Sequence, residues 1–290
     1  MNSLKTGSKL LTLAELVRFR LSAAVTLSAV TGYFVFTTRA EASLVLLITG
    51  IFLLAAGASA LNQYDEKDQD ILMGRTGNRP LPLGKIKPLT ALGISIALIV
   101  TGIGLLLFIG IIPALLGLLN ILLYNLVYTR LKRITSLAVI PGSAVGAIPP
   151  IIGFTAAGGI TLKAEIVLFA TFLFLWQLPH FWLILVKYRD DYQKAGFKTF
   201  SSKVSDAQIK YLVFGWIVCT TSLLIFFSVR DLVFNAYLNA VLIPVNAVFI
   251  LMFYRLLFRQ YSSNALRTAY IMVNAFGLLV MALFILNAFL

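Results

Sequence analysis

The sequence predicts an all-α integral membrane protein, a bundle of about nine transmembrane helices with the N-terminus cytoplasmic and the C-terminus on the opposite side. Three observations predict it. Of the 290 residues, 60% are hydrophobic and 12% charged, with a mean hydropathy of +0.94; soluble domains average roughly 25% charged. Apolar stretches near or above the roughly 20 residues needed to cross hydrocarbon fall at residues 17–38, 42–61, 88–109, 111–128, 137–157, 164–186, 209–229, 232–254 and 267–289. Of the 24 Lys and Arg residues, only Arg39, Lys163 and Arg230 fall on one side of that arrangement, which the positive-inside rule makes the far side. A closed barrel would need alternating segments of about ten residues, and the chain has none.

Taken in order, Lys5, Lys9, Arg18 and Arg20 precede or enter the first span. The tail ahead of it carries neither a cleavable signal pattern nor a long Arg/Ser-rich transit segment, so direct insertion into a bacterial-type plasma membrane is expected. Long charged connections follow spans 2 and 6, at residues 62–87 and 187–208. The opposite side is joined by tight links such as Phe108-Ile-Gly-Ile-Ile-Pro113. One membrane domain, residues 1–290, is the expectation. The net charge of +13 would suggest nucleic acid in a soluble chain. Its one-sided distribution instead assigns it to topology, so the lipid bilayer is the expected partner and nucleic acid is not.

Span 5 holds Pro141-Gly-Ser-Ala-Val-Gly-Ala-Ile-Pro-Pro150. Its small residues favour close helix packing, and Pro149-Pro150 is expected to kink or break it. Two roles stay open: bordering a chamber, or tight packing with none. Cys219, the one cysteine, lies in span 7 and excludes an intrachain disulfide or Cys-based metal site; a small packing residue is expected.

The run Asn62-Gln-Tyr-Asp-Glu-Lys-Asp-Gln-Asp70 concentrates acids at the end of span 2. On a helix, Asn62, Glu66 and Asp70 are spaced i, i+4, i+8 and lie on one face, about 40° apart per step. Hard cations such as Mg²⁺ take oxygen ligands and commonly bridge one or two carboxylates to substrate phosphates. A solvated acidic loop capping a membrane helix is the competing account. Arg75 and Arg79 follow within a few residues, and Lys132 and Arg133 follow span 4 on the same side; guanidinium groups suit phosphate oxygens, although orientation of the chain also explains any single one of them. The second loop, Tyr188-Arg-Asp-Asp-Tyr192 ahead of Lys194-Ala-Gly196, repeats the first weakly, with acids first and basic residues after. His180, the single histidine, sits in Trp176-Gln-Leu-Pro-His-Phe-Trp182 near the cytoplasmic end of span 6. An ionisable group at membrane depth invites a functional reading. Iron ligation, proton transfer and a structural hydrogen bond all remain open.

The Asn62-x-x-x-Glu66-x-x-x-Asp70 pattern resembles the Asn-x-x-x-Asp-x-x-x-Asp signature of UbiA-type intramembrane prenyltransferases, with Glu66 in place of the middle aspartate. Met73-Gly-Arg-Thr-Gly-Asn-Arg-Pro-Leu-Pro82, Tyr128-Thr-Arg-Leu-Lys-Arg133, Gly146-Ala-Ile-Pro-Pro-Ile-Ile-Gly153, Pro179-His-Phe-Trp182 and Asp191-Tyr-x-x-Ala-Gly196 narrow the resemblance to the protoheme IX farnesyltransferase (heme O synthase) family. It runs from about residue 15 to 210; the last 80 residues match only as apolar helices.

That resemblance implies transfer of a farnesyl group from farnesyl diphosphate to a vinyl group of heme b, giving heme O for terminal oxidases, with Mg²⁺ as cofactor. It also implies association with heme A synthase or oxidase assembly factors. Asn62, Glu66 and Asp70 would hold metal and diphosphate; Arg75, Arg79, Lys132 and Arg133 would neutralise the diphosphate; His180 would place heme. The second motif departs from the superfamily, because its aspartate positions fall on Tyr188 and Tyr192. Asp191 is assigned to the site beside them, and the departure bears on whether this motif holds a second metal. Lys198-Thr-Phe-Ser201 replaces the family's Pro-Met-Leu-Pro, so that loop is expected to close differently. Two other readings compete: a related prenyltransferase with an aromatic or lipid acceptor, and a transporter of heme or an organic anion. The first lacks a reason for the His180 segment. The second is disfavoured because the centres of the spans are almost free of charge.

Overall fold

The computed structural model describes residues 2–197, 205–229, 234–259 and 263–290. Lys198 to Ser201 and Arg230, named above, lie outside the described residues. Among those described, nine helices are long and apolar enough to cross a membrane, from Phe19–Phe36 to Ala265–Phe289. In chain order the helices are α1 (Asn2–Leu16), α2 (Phe19–Phe36), α3 (Ala42–Asp65), α4 (Lys67–Ile71), α5 (Pro88–Ile109), α6 (Ile111–Ile121), α7 (Thr129–Ile134), α8 (Val139–Ala156), α9 (Ala164–Lys187), α10 (Arg189–Lys194), α11 (Asp206–Val229), α12 (Ala236–Tyr254) and α13 (Ser263–Phe289). A π-helical segment, Leu122–Tyr128, joins α6 to α7, so the three form one span. The segment ahead of the first span is ordered. It is helical, and Arg18 in left-handed conformation (φ 48°, ψ 55°) separates it from α2.

The spans close into a ring. In the first half α2, α3, α5, α6 and α8 pack in sequence, with α8 returning to α2; in the second, α9, α11, α12 and α13 follow, and α13 lies against both α9 and α2. Without a water-driven hydrophobic force between helices in lipid, close backbone approach and interhelical hydrogen bonds provide the attraction. The α3–α5 seam uses both, since Ser95 Oγ donates to the Gly57 carbonyl at 2.9 Å and a Cβ on Gly102 would sit 2.9 Å from the Gly50 carbonyl oxygen. In the second half, aromatic rings fill the interior, and Trp176 Nε1 on α9 donates to Val273 O on α13 at 2.7 Å. Large apolar side chains such as Phe108, Ile160 and Tyr237 stay exposed on the outer surface, where lipid would meet them.

Two expectations are corrected. Pro149 and Pro150 do not break their span: α8 runs through both, and both are buried. A Cβ on Gly32 would overlap the Pro150 carbonyl, and one on Gly153 would overlap the Ala29 carbonyl. Close packing of α8 on α2 therefore outweighs the helix-interior cost of proline, about 3 kcal/mol each. This face of span 5 is a packed seam. Cys219 is exposed on the outside of α11 and is not a packing residue. Gly153→Leu is expected to drive its side chain into the α2 backbone and cost about 3 kcal/mol or more. Thermal unfolding in detergent checks this; an unchanged midpoint would contradict the seam.

The two charge-defined sides occupy two ends of the bundle. At one end the connection after α3 meets that after α9, through a small cluster of Met73, Tyr192, Ala195 and Phe197. At the other, Lys163 lies 5.2 Å over the Phe36 ring and Tyr33 Oη is 3.0 Å from Ser43 Oγ.

Candidate active site

The charged end is organised by two helices running in the same direction, α3 and the fourth span. Asn125 Nδ2 donates to Ala58 O at 3.1 Å; Asn62 Nδ2 donates to Thr129 Oγ1 at 3.2 Å; Lys132 Nζ donates to Glu66 Oε2 at 2.6 Å and lies 2.5 Å from Oε1; Arg133 Nη2 donates to Asp65 O at 2.8 Å. These rungs climb together because the segment Leu122–Tyr128 is π-helical. One extra residue in a turn rotates everything after it by about 100°. The rotation leaves Thr129, Lys132 and Arg133 facing α3.

The acidic ladder is bent rather than straight. α3 ends at Asp65, Glu66 adopts φ −108° and ψ 9°, and α4 follows. Backbone bonds still step across the break, Glu66 N to Asn62 O at 3.0 Å and Asp70 N to Glu66 O at 2.8 Å. Asn62, Glu66 and Asp70 are thereby stacked and buried, with Glu66 4% and Asp70 3% exposed. Each carboxylate has its own cation. Lys132 serves Glu66, and Arg79 Nη1 donates to Asp70 Oδ2 at 2.6 Å. Burial, then the neighbouring positive charge of Arg18, pull the Arg79 guanidinium below its ordinary range, and Asp70 pulls the other way.

Arg18, which counted in the sequence only as an orienting charge, joins the charged cluster of the candidate site. Its side chain hydrogen-bonds Tyr124 and its charge reaches Arg79 and Lys132. Gln63 holds the preceding turn, donating from Nε2 to Glu15 O at 3.0 Å and Leu16 O at 2.8 Å. Left-handed backbone on a non-glycine residue costs of order 1 kcal/mol or more and persists only where surroundings enforce it. That strained conformation, invisible in the sequence, is the signal.

The second loop repeats the backbone of the first. α9 ends, Tyr188 takes φ −115° and ψ 30°, and the short α10 follows, with Tyr192 N donating to Tyr188 O at 3.1 Å. The weak repeat is thus a real one in geometry. Its chemistry differs: the Arg75 guanidinium lies 5.4 Å from the Tyr188 ring centre and 5.9 Å from that of Tyr192, and Arg75 Nη2 donates to Tyr192 Oη at 3.2 Å. Asp191 Oδ2 accepts the Arg75 backbone N–H at 3.2 Å. An open recess of about 340 Å³ adjoins Tyr188 and Asp191.

His180 sits in an aromatic box, with ring centres of Tyr270, Trp176 and Phe181 at 5.1, 5.3 and 5.7 Å. Asn274 hydrogen-bonds the imidazole, and Nδ1 is buried with no partner among the described residues. A lane of rings links this box to the charged cluster: Phe181 stacks on Tyr128 at 6.1 Å, and Lys132 Nζ lies 5.3 Å over Tyr128.

Comparison with known proteins bears directly on this arrangement. The profile of the UbiA prenyltransferase family matches residues 22–288. The chain belongs to the UbiA prenyltransferase family. Within it, the protoheme IX farnesyltransferase of Geobacter sulfurreducens is 45% identical over 193 residues, 66% of this chain and 72% of the relative. That of Flavobacterium psychrophilum is 31% identical over 284 residues, 95% of this chain and 94% of the relative. This UbiA prenyltransferase is therefore a member of the protoheme IX farnesyltransferase group, and the relationship extends through the last 80 residues, beyond the motifs.

Solved structures share the fold. One from work on digeranylgeranylglyceryl phosphate synthase in membranes superposes with a TM-score of 0.78 at 19% identity, covering 97% of this chain and 99% of that one. A UbiA homolog from Archaeoglobus fulgidus bound to GPP and Mg²⁺ gives 0.73 at 18% identity, covering 96% and 98%. In this UbiA prenyltransferase the structure brings together Asn62, Glu66, Asp70, Arg75, Arg79, Lys132, Arg133, Tyr188, Asp191 and Tyr192 at one end of the bundle. His180 stands apart from the carboxylates, at the other end of the ring lane.

Proposed function

We propose that this enzyme of the bacterial plasma membrane transfers the farnesyl group of farnesyl diphosphate to a vinyl group of protoheme IX, giving heme O. One observation carries the reading: a buried, charge-paired end suited to a diphosphate is joined by stacked rings to His180, whose Nδ1 has no partner among the described residues and is chemically able to ligate the iron of a metalloporphyrin.

The donor set fits a divalent cation only in company. Asn62, Glu66 and Asp70 are oxygen donors, yet no three His, Cys, Asp or Glu side chains among the described residues gather as a ligand group. Mg²⁺ typically uses one or two carboxylates and completes its shell with substrate phosphate and water, so Glu66 and Asp70 would hold it together with the diphosphate. The bound cation supplies charge stabilisation on the leaving diphosphate. Lys132 and Arg79, paired with those carboxylates, would stand beside the phosphate oxygens, where negative charge grows as the allylic C–O bond breaks and its electron pair leaves with diphosphate. Arg75 and Arg133 flank them. The farnesyl cation is shielded from water by the apolar bundle. The vinyl π-electrons form the new C–C bond, and the resulting cation takes hydroxide from water, releasing one proton.

Thr129 orients Asn62. Its hydroxyl donates to Tyr124 O at 2.9 Å, so toward Asn62 the oxygen can only accept, and the amide must present its NH₂ there. Oδ1 is left for the cation or its water. Thr129→Val is expected to raise the Mg²⁺ concentration for half-maximal binding of a non-cleavable farnesyl thiodiphosphate by about tenfold, and Thr129→Ser to restore it. Equal loss in both variants would mean a packing role only.

The functional test is direct. Protein purified in detergent, given heme b, farnesyl diphosphate and Mg²⁺ with and without EDTA, is expected to yield hydroxyethylfarnesyl heme by mass spectrometry only when metal is free. Diphosphate consumed with heme unchanged would refute the acceptor; heme bound with diphosphate never cleaved would favour transport.

A further inference from the structure

The two loops at the charged end share one backbone and differ in what that backbone displays. At equivalent steps the first offers Asn62, Glu66 and Asp70, and the second Ile184, Tyr188 and Tyr192, each set linked by the same i to i+4 hydrogen bonds across a helix break. A ladder of oxygens suits a hard cation. Two tyrosine faces one turn apart suit an organic cation, and guanidinium is the side chain that stacks on them. Such a cation is already in place: Arg75 lies 5.4 and 5.9 Å from the two ring centres and bonds Tyr192 Oη at 3.2 Å. Asp191 accepts the Arg75 backbone N–H at 3.2 Å, while Asp190 is solvent-exposed. Arg75 is close enough to Arg79 for their charges to interact, so the clamp belongs to the same electrostatic cluster as the Asp70–Arg79 pair.

We propose that the site binds a single divalent cation, on the Asn62–Glu66–Asp70 side, and that Arg75, clamped between Tyr188 and Tyr192, supplies the fixed positive charge on the opposite side of the diphosphate. This rests on the prenyl-transfer reading. The clamp gives the second loop a role without a metal of its own. A guanidinium carries its charge regardless of metal concentration and forks onto two phosphate oxygens, while the tyrosines restrict its rotamers before substrate arrives.

The test counts metal directly. Unmodified protein in detergent, with saturating farnesyl thiodiphosphate, is titrated with Mn²⁺, and free Mn²⁺ is followed by its electron paramagnetic resonance signal. One tight Mn²⁺ per chain is expected, and two would overturn the proposal. In parallel, Tyr188→Leu is expected to weaken thiodiphosphate binding about threefold to tenfold and Tyr188→Phe, which keeps the aromatic face, to bind as the unmodified protein does. Equal affinity for Leu and Phe would also overturn it. If folded protein binds no thiodiphosphate at any Mn²⁺ concentration, the prenyl-transfer reading itself falls, a result distinct from a count of two.

Discussion

Asp70→Asn is expected to lower heme O formation by about 10³-fold, because the carboxylate that would share the cation with the diphosphate becomes a neutral amide. A bound cation contributes several kcal/mol of charge stabilisation in the transition state, and about 4 kcal/mol corresponds to three decades in rate. The side chain of Asp70 is 4% exposed and touches Arg79 at 2.6 Å. Asparagine keeps an oxygen for that guanidinium, so the fold is retained and the loss is chemical. Turnover measured across a Mg²⁺ titration separates the outcomes. A variant that regains the native rate at high Mg²⁺ has lost only affinity, and one near the native rate throughout has no metal role at that position. Thermal unfolding of the same preparation provides the control.

Lys132→Met is expected to destabilise the protein by about 3–5 kcal/mol, the cost of leaving one partner of a buried ion pair without the other. Lys132 and Glu66 side chains are 19% and 5% exposed, and the ammonium lies 2.5 Å from Oε1. The double change Glu66→Gln with Lys132→Met removes both charges and is expected to recover most of the stability while leaving farnesyl transfer abolished. That split distinguishes a site kept charged for chemistry from one kept charged for packing. A single Lys132→Met protein as stable as the parent would show that Glu66 finds another partner. Saturating Mg²⁺ with farnesyl thiodiphosphate is expected to rescue part of the single variant's loss, since ligand that binds only the folded state stabilises it by mass action.

The spans, the gathering of the long charged connections at one end and the residue types of the candidate site were legible along the chain. Apolar length and charge asymmetry are local properties that lipid reads directly, and the Asn62, Glu66 and Asp70 spacing follows from helix geometry alone. Motif resemblance carried the assignments of Arg75, Arg79, Lys132 and His180 as far as candidates. The partners of those residues were not legible. Lys132 meets Glu66 across 66 residues and Arg75 meets Asp191 across 116, and each meeting depends on how far a helix is rotated about its axis. One additional residue in the turn at Leu122–Tyr128 moves every later side chain by about 100°, which no apolar count detects. Only the tertiary structure decided that Thr129 orients Asn62, that Arg18 leaves its turn in a left-handed conformation to enter the site, that Pro149 and Pro150 stay helical against α2, and that Tyr188 and Tyr192 face a guanidinium. Each is a contact between segments distant in sequence, set by close packing of backbones in a medium with no water to satisfy a misplaced polar group.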